Sequence, residues 1–121
     1  MFSLVFAAAI VSFSGPTMDQ VALDAHPTAT RYTRLLNAEL CGEFVPTPEG
    51  YRLDLTVSPD RTQCKFRRQV GGSGVIFHTH PSDAPSRFAK DDYALPGYLS
   101  HPRAGVTFQN GKGTERKVST P

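Results

Sequence analysis

The chain reads as a single α+β domain built on a mixed β-sheet. Helix signals crowd into residues 17–37, and strand-type patterning takes over from Glu39 onward. The order of helix, strands, helix and hairpin contains no regular strand–helix–strand repeat. The 121 residues leave room for one domain, and 39% hydrophobic residues sit near ordinary globular usage. A formal net charge of +2 is too mild to predict a nucleic-acid binder on electrostatic grounds. Ten glycines and ten prolines predict many turns.

Residues 2–13 form an apolar run without a charged side chain. The run is shorter than the roughly 20 residues that span a bilayer, so no stable membrane span is expected. It has the length of a signal-peptide core, and Ser12-Phe13-Ser14 offers small-x-small cleavage chemistry, although no Lys or Arg precedes it. One reading is therefore a signal peptide over 1–14, a domain over 15–121 and an exported, periplasmic or secreted protein. The other is a helix or strand packed on the domain of a cytoplasmic protein. Export would allow a Cys41–Cys64 bridge, and retention would leave two buried thiols.

Thr17-Met18-Asp19-Gln20 has the form of a capping box opening a short helix. His26-Pro27 is expected to end that helix, because a residue before proline avoids helical geometry. Thr28 to Asn37 reads as a second helix. Glu39 to Val45 is a candidate strand, followed by a turn at Pro46 to Gly50. Tyr51 to Val57 alternates with period 2, placing Tyr51, Leu53, Leu55 and Val57 on one face. Cys64, Phe66 and Val70 suggest a further, basic strand ended by Gly71-Gly-Ser-Gly74. That glycine run leads into a strand and lacks a Gly-Lys-Ser/Thr, so it reads as a turn and not a phosphate loop. Val75-Ile76-Phe77 has the continuous apolar character of a central strand. Phe88 to Leu95 reads as a short helix stopped by Pro96-Gly97. Asn110-Gly111 marks a hairpin between Val106–Phe108 and a strand near Val118. Lys112 to Lys117 reads as a solvated basic stretch.

The chemistry concentrates in His78-Thr79-His80-Pro81. Side chains two apart on a strand share a face, so both imidazoles can converge on one metal ion. A catalytic zinc site needs a third ligand and an open position for water, and Asp91 and Asp92 lie at the start of the next predicted helix. His26 and His101 each precede a proline and read as exposed turn residues. Cys41 reads as a small buried hydrophobe.

These residues resemble the JAMM signature of JAB/MPN-fold metallopeptidases, which combines a strand Glu, a His-Ser/Thr-His-Pro phrase and a Ser-x-x-Asp phrase. The resemblance covers residues 35–95. Ala38-Glu39-Leu40-Cys41-Gly42 is similar to the family's Glu-x-x-Gly strand. The helix before Glu39 and the Tyr98-Leu99-Ser100-His101-Pro102 segment resemble a bacterial branch of JAB-like domains. The resemblance implies a cytidine-deaminase-like sheet flanked by short helices, and Zn2+ held by His78, His80 and one of Asp91 or Asp92. It further implies Glu39 as general base and a peptide or protein amide as substrate. The usual spacing selects Asp91. The alternative register seats Phe88 in the apolar position before the Ser-x-x-Asp phrase, and it selects Asp92. In either register the family Ser, which helps hold the substrate oxyanion, is missing; Ser82 and Ser86 are the nearby substitutes. Glu43 shares the face of Glu39 by period 2 and competes for the base role. The expected function is a zinc-dependent hydrolase. The alternatives are a non-catalytic JAB-like binding module and a secreted bacterial toxin or effector domain.

Overall fold

The computed structural model describes residues 11–60, 63–81 and 84–119. Among these residues seven strands form one mixed sheet: β1 (Val11–Gly15), β2 (Leu40–Thr47), β3 (Gly50–Val57), β4 (Ile76–Thr79), β5 (Gly97–His101), β6 (Gly105–Gln109) and β7 (Glu115–Val118). Their spatial order is β1-β3-β2-β4-β5-β6-β7. The β4–β5 pair is parallel, and every other pair is antiparallel. β4 is the central strand of the seven.

One helix, α1 (Met18–Leu36), covers one face of this sheet. Its start follows the capping chemistry in part. The Thr17 hydroxyl accepts from the Gln20 amide at 3.1 Å, while the Gln20 side chain donates to Asp24 instead of returning to the cap. The two predicted short helices are one, because α1 runs through Pro27. Proline inside a helix costs about 3 kcal/mol. Here the buried stripe of Val21, Ala22, Ala25, Ala29, Thr30 and Thr33 continues across the proline, which itself faces solvent. Packing against the sheet thus outweighs the local preference. Asn37 ends the helix in the left-handed conformation, with its amide bonded to the Thr33 carbonyl.

The sheet face under α1 carries Leu40, Phe44, Leu53, Leu55, Phe77, Tyr98 and Val106, which form the hydrophobic core with the helix. The predicted inward set of the 51–57 strand is observed in Leu53 and Leu55, both fully buried. The aspartate–tyrosine–arginine cluster of Asp19, Tyr98 and Arg116 ties the start of α1 to β5 and β7.

Three further expectations are corrected. Residues 63–75 form no strand; they are an irregular segment anchored by side chains. The stretch expected to be helical from Phe88 is a single 3-10 turn, η1 (Lys90–Ala94). Gly97–His101, for which no strand was expected, is β5, held by parallel pairing to β4 and antiparallel pairing to β6. The hairpin around Asn110-Gly111 is present as β6–β7. Val11–Phe13, the end of the apolar run, lie in β1 along β3, and residues 2–10 of that run lie outside the described residues.

Candidate metal centre

The sheet face opposite α1 is polar where β2 and β4 meet. Cys41 pairs with His78 in the antiparallel register, and continuing the register by two residues sets Glu39 across from His80. Glu39, Cys41, Glu43, His78 and His80 therefore share one face by the period of the strand. Thr79, between the histidines, points to the other face.

The η1 turn brings Asp92 onto the two imidazoles. The Asp92 Oδ2 atom lies 3.3 Å from His78 Nε2 and 3.8 Å from His80 Nε2, and the two Nε2 atoms are 3.3 Å apart. Tetrahedral zinc with bonds of about 2.0–2.1 Å has ligand-to-ligand edges of roughly 3.3–3.4 Å. The three donor atoms thus already stand near the spacing of three corners of such a tetrahedron. Two imidazoles and a carboxylate are also a chemically suitable zinc set. Asp91, the other candidate, is exposed and outside this cluster.

The protonation states suit metal binding. Burial pushes the His80 imidazole below its ordinary value, with His78 and His101 adding to the effect and the Pro85 carbonyl opposing it. Burial alone would raise the Asp92 carboxyl, but the hydrogen bond and charge of His78, the Ala89 amide and His80 outweigh it and hold the group below the usual range. A neutral imidazole and an ionised carboxylate are the ligating forms.

Surrounding groups fix the ligands. The His80 Nδ1–H donates to the Pro85 carbonyl at 2.9 Å, which leaves Nε2 with its lone pair toward the cluster. The loop carrying Pro85 is held in turn by His101, whose Nε2–H donates to the Ala84 carbonyl at 3.1 Å. The His101 Nδ1 accepts from the amides of Arg103 and Ala104. His101 is buried, contrary to the exposed turn expected for it, and His26 lies inside α1 bonded to Ser100. The buried Gln109 side chain donates to the carbonyls of Asp92 and Leu95 at 3.0 and 2.6 Å, clamping η1 from β6.

A hydrogen-bonded chain sets Glu39 in place. The Leu40 amide donates to the Thr79 hydroxyl at 2.9 Å. Thr79 donates to the Thr33 hydroxyl at 2.6 Å, and Thr33 donates to the Ala38 carbonyl. Both neighbours of Glu39 are thereby tied to the middle residue of the His-Thr-His phrase. Glu39 itself is buried, and burial is the main reason its carboxyl rises from 4.5 to about 7; His78 opposes this, and Asp92 and Asp60 add to it.

Glu43 has a different role. Its carboxylate accepts from the Arg68 guanidinium by two bonds of 3.0 Å and from the amides of Gln69 and Gly74. Those partners outweigh burial and hold it below its ordinary value. Fully engaged, it anchors the 63–75 segment. Gly72 is needed there because any side chain at that position would run into this carboxylate. The segment is also joined to β2 by a Cys41–Cys64 disulfide.

Between this segment and η1 lies a cleft of about 380 Å3 with His78 and Asp92 in its wall, and Phe66, Ile76, Phe88 and Leu95 supplying apolar surface. Phe88 is buried with its ring 6.2 Å from that of His78. Ser86 is exposed, and Ser82 lies outside the described residues. Sequence reasoning missed Gln109, His101 and the Thr33–Thr79 pair. His101 stood beside a proline that suggested a turn, and nothing local marks Gln109 or Thr33 as neighbours of residues far along the chain. Comparison with protein-family models, with curated proteins and with solved structures returns no match for this chain.

Proposed function

We propose that the chain is a zinc-dependent hydrolase of the JAB/MPN type that cleaves an amide bond in a peptide or protein. The observation that carries this is the near-tetrahedral spacing of His78, His80 and Asp92, with Glu39 beside them. In this reading the three side chains hold Zn2+. The ion supplies Lewis acidity, lowering the pKa of water to about 7. Glu39 accepts a proton from the attacking water and returns it to the leaving amine. Burial, which raises the Glu39 carboxyl in the metal-free chain, favours its taking up that proton. The apolar walls of the cleft exclude water and seat an uncharged side chain of the substrate.

The proposal extends to export, supported by the Cys41–Cys64 bridge, since such bonds persist in oxidising compartments. The pairing of Val11–Gly15 with β3 favours a chain that keeps these residues. Intact mass of the protein recovered from an exporting host decides between them. Among the described residues no helix is long and apolar enough to cross a membrane.

A second reading, a zinc-binding module without turnover, is favoured by Ala89, which in the Asp92 register stands where the resemblance calls for an oxyanion-binding Ser. Elemental analysis of wild type and of His78→Ala/His80→Ala tests the metal. Bound zinc in the first and none in the second is expected, and none in either refutes both readings. Hydrolysis across a peptide panel, lost on Glu39→Gln with zinc retained, supports the enzyme. Zinc without turnover supports the module.

A further inference from the structure

The carboxylate of Glu39 and the two sulfurs of the disulfide lie close together, with their ligand atoms all within 4.8 Å of one another. Cys41 stands next but one to Glu39 on β2, on the same face and fully buried. Cys64 approaches from the irregular segment and lines the cleft. While bridged, the sulfurs offer no thiolate and the group cannot hold a metal.

We propose that reduction of Cys41–Cys64 opens a second metal site, in which both thiolates and the Glu39 carboxylate take a soft divalent cation such as zinc or cadmium. The reductant is a dithiol. One of its thiolates attacks the accessible Cys64 sulfur and displaces the Cys41 thiolate. Its second thiol then closes a disulfide within the reductant and releases Cys64. Two electrons and two protons pass to the chain, and the dithiol becomes a disulfide. Cation binding afterwards displaces both thiol protons.

The geometry allows the opening. Around tetrahedral zinc with Zn–S near 2.3 Å two sulfurs stand about 3.8 Å apart, so they must separate by roughly 2 Å. Cys64 can supply that movement, because its segment has no strand pairing to resist it. It also stays in reach, because the Ser58 hydroxyl donates to the Gln63 carbonyl and accepts from the Lys65 amide, on either side of Cys64. A cation held there occupies Glu39, so reduction and hydrolysis become mutually exclusive. That last consequence alone rests on the function proposed above.

The test uses cadmium and the full chain carrying His78→Ala/His80→Ala, which removes the first site without touching the second. Cadmium is titrated into oxidised and phosphine-reduced protein while the thiolate-to-metal absorption and the far-ultraviolet circular dichroism are followed. One cadmium per reduced chain and none per oxidised chain is expected, with the helix signal retained. Glu39→Gln should weaken the reduced site by 10-fold or more, on the scale by which even groups outside the ligand set tune metal affinity. Cys41→Ser/Cys64→Ser should bind none. Equal binding by oxidised and reduced protein overturns the proposal. So does binding indifferent to Glu39→Gln, which is the behaviour of an unfolded dithiol.

Discussion

Replacing Glu39 with Gln should make the metal-free protein more stable, by an amount that grows with pH. The Glu39 carboxyl is raised from 4.5 to about 7 in the folded chain, chiefly by burial. Each pKa unit is worth about 1.4 kcal/mol, which sets a ceiling of about 3.4 kcal/mol for the cost of its charge. Relaxation and water penetration around a buried charge bring its effective cost below that ceiling, to about 2 kcal/mol. The folded state holds this proton more tightly than the unfolded state. Its stabilising contribution is therefore complete below pH 4.5 and is lost as pH rises through about 7. Gln carries no charge at any of these values. Urea unfolding of both proteins in chelator, with the disulfide intact, should give equal stabilities at about pH 4 and a variant more stable by about 2 kcal/mol at about pH 8. A gap that is constant with pH, or a wild type that gains on the variant as pH rises, refutes the burial argument.

Three other expectations follow from the same geometry. Zinc at about 100 times its dissociation constant should stabilise the wild type by about 2.7 kcal/mol, or about 10 °C in melting temperature; the same shift in His78→Ala/His80→Ala would place the ion elsewhere. Gln109→Leu should leave the carbonyls of Asp92 and Leu95 without their donor, costing about 1–2 kcal/mol in urea unfolding and roughly 10–100-fold in zinc affinity measured by calorimetry. Unchanged zinc affinity would show that β6 does not position Asp92. Pro27→Ala, at an exposed site inside α1, should raise stability by about 1–2 kcal/mol by supplying the missing helical N–H. A lower melting temperature would show that the rigidity of Pro27 in the unfolded chain matters more.

Elements whose signals are local are legible along the chain. The alternation of Tyr51 to Val57, the apolar run into His78 and the Asn110-Gly111 hairpin each depend on neighbours a few residues away, and each is present. The period of a strand also put His78 and His80 on one face before any contact was known. Tertiary structure decided the rest, because each remaining choice is an energy difference between distant groups. Pro27 stays helical because Ala29, Thr30 and Thr33 bury against the sheet beyond it. Asp92 stands at the cluster and Asp91 in solvent because Gln109 and the Ala89 amide hold one particular turn. Glu39 and Glu43 share a strand face and a chemical type, yet Arg68 claims only Glu43. That division follows from where the 63–75 segment folds back, and no spacing along the chain encodes it.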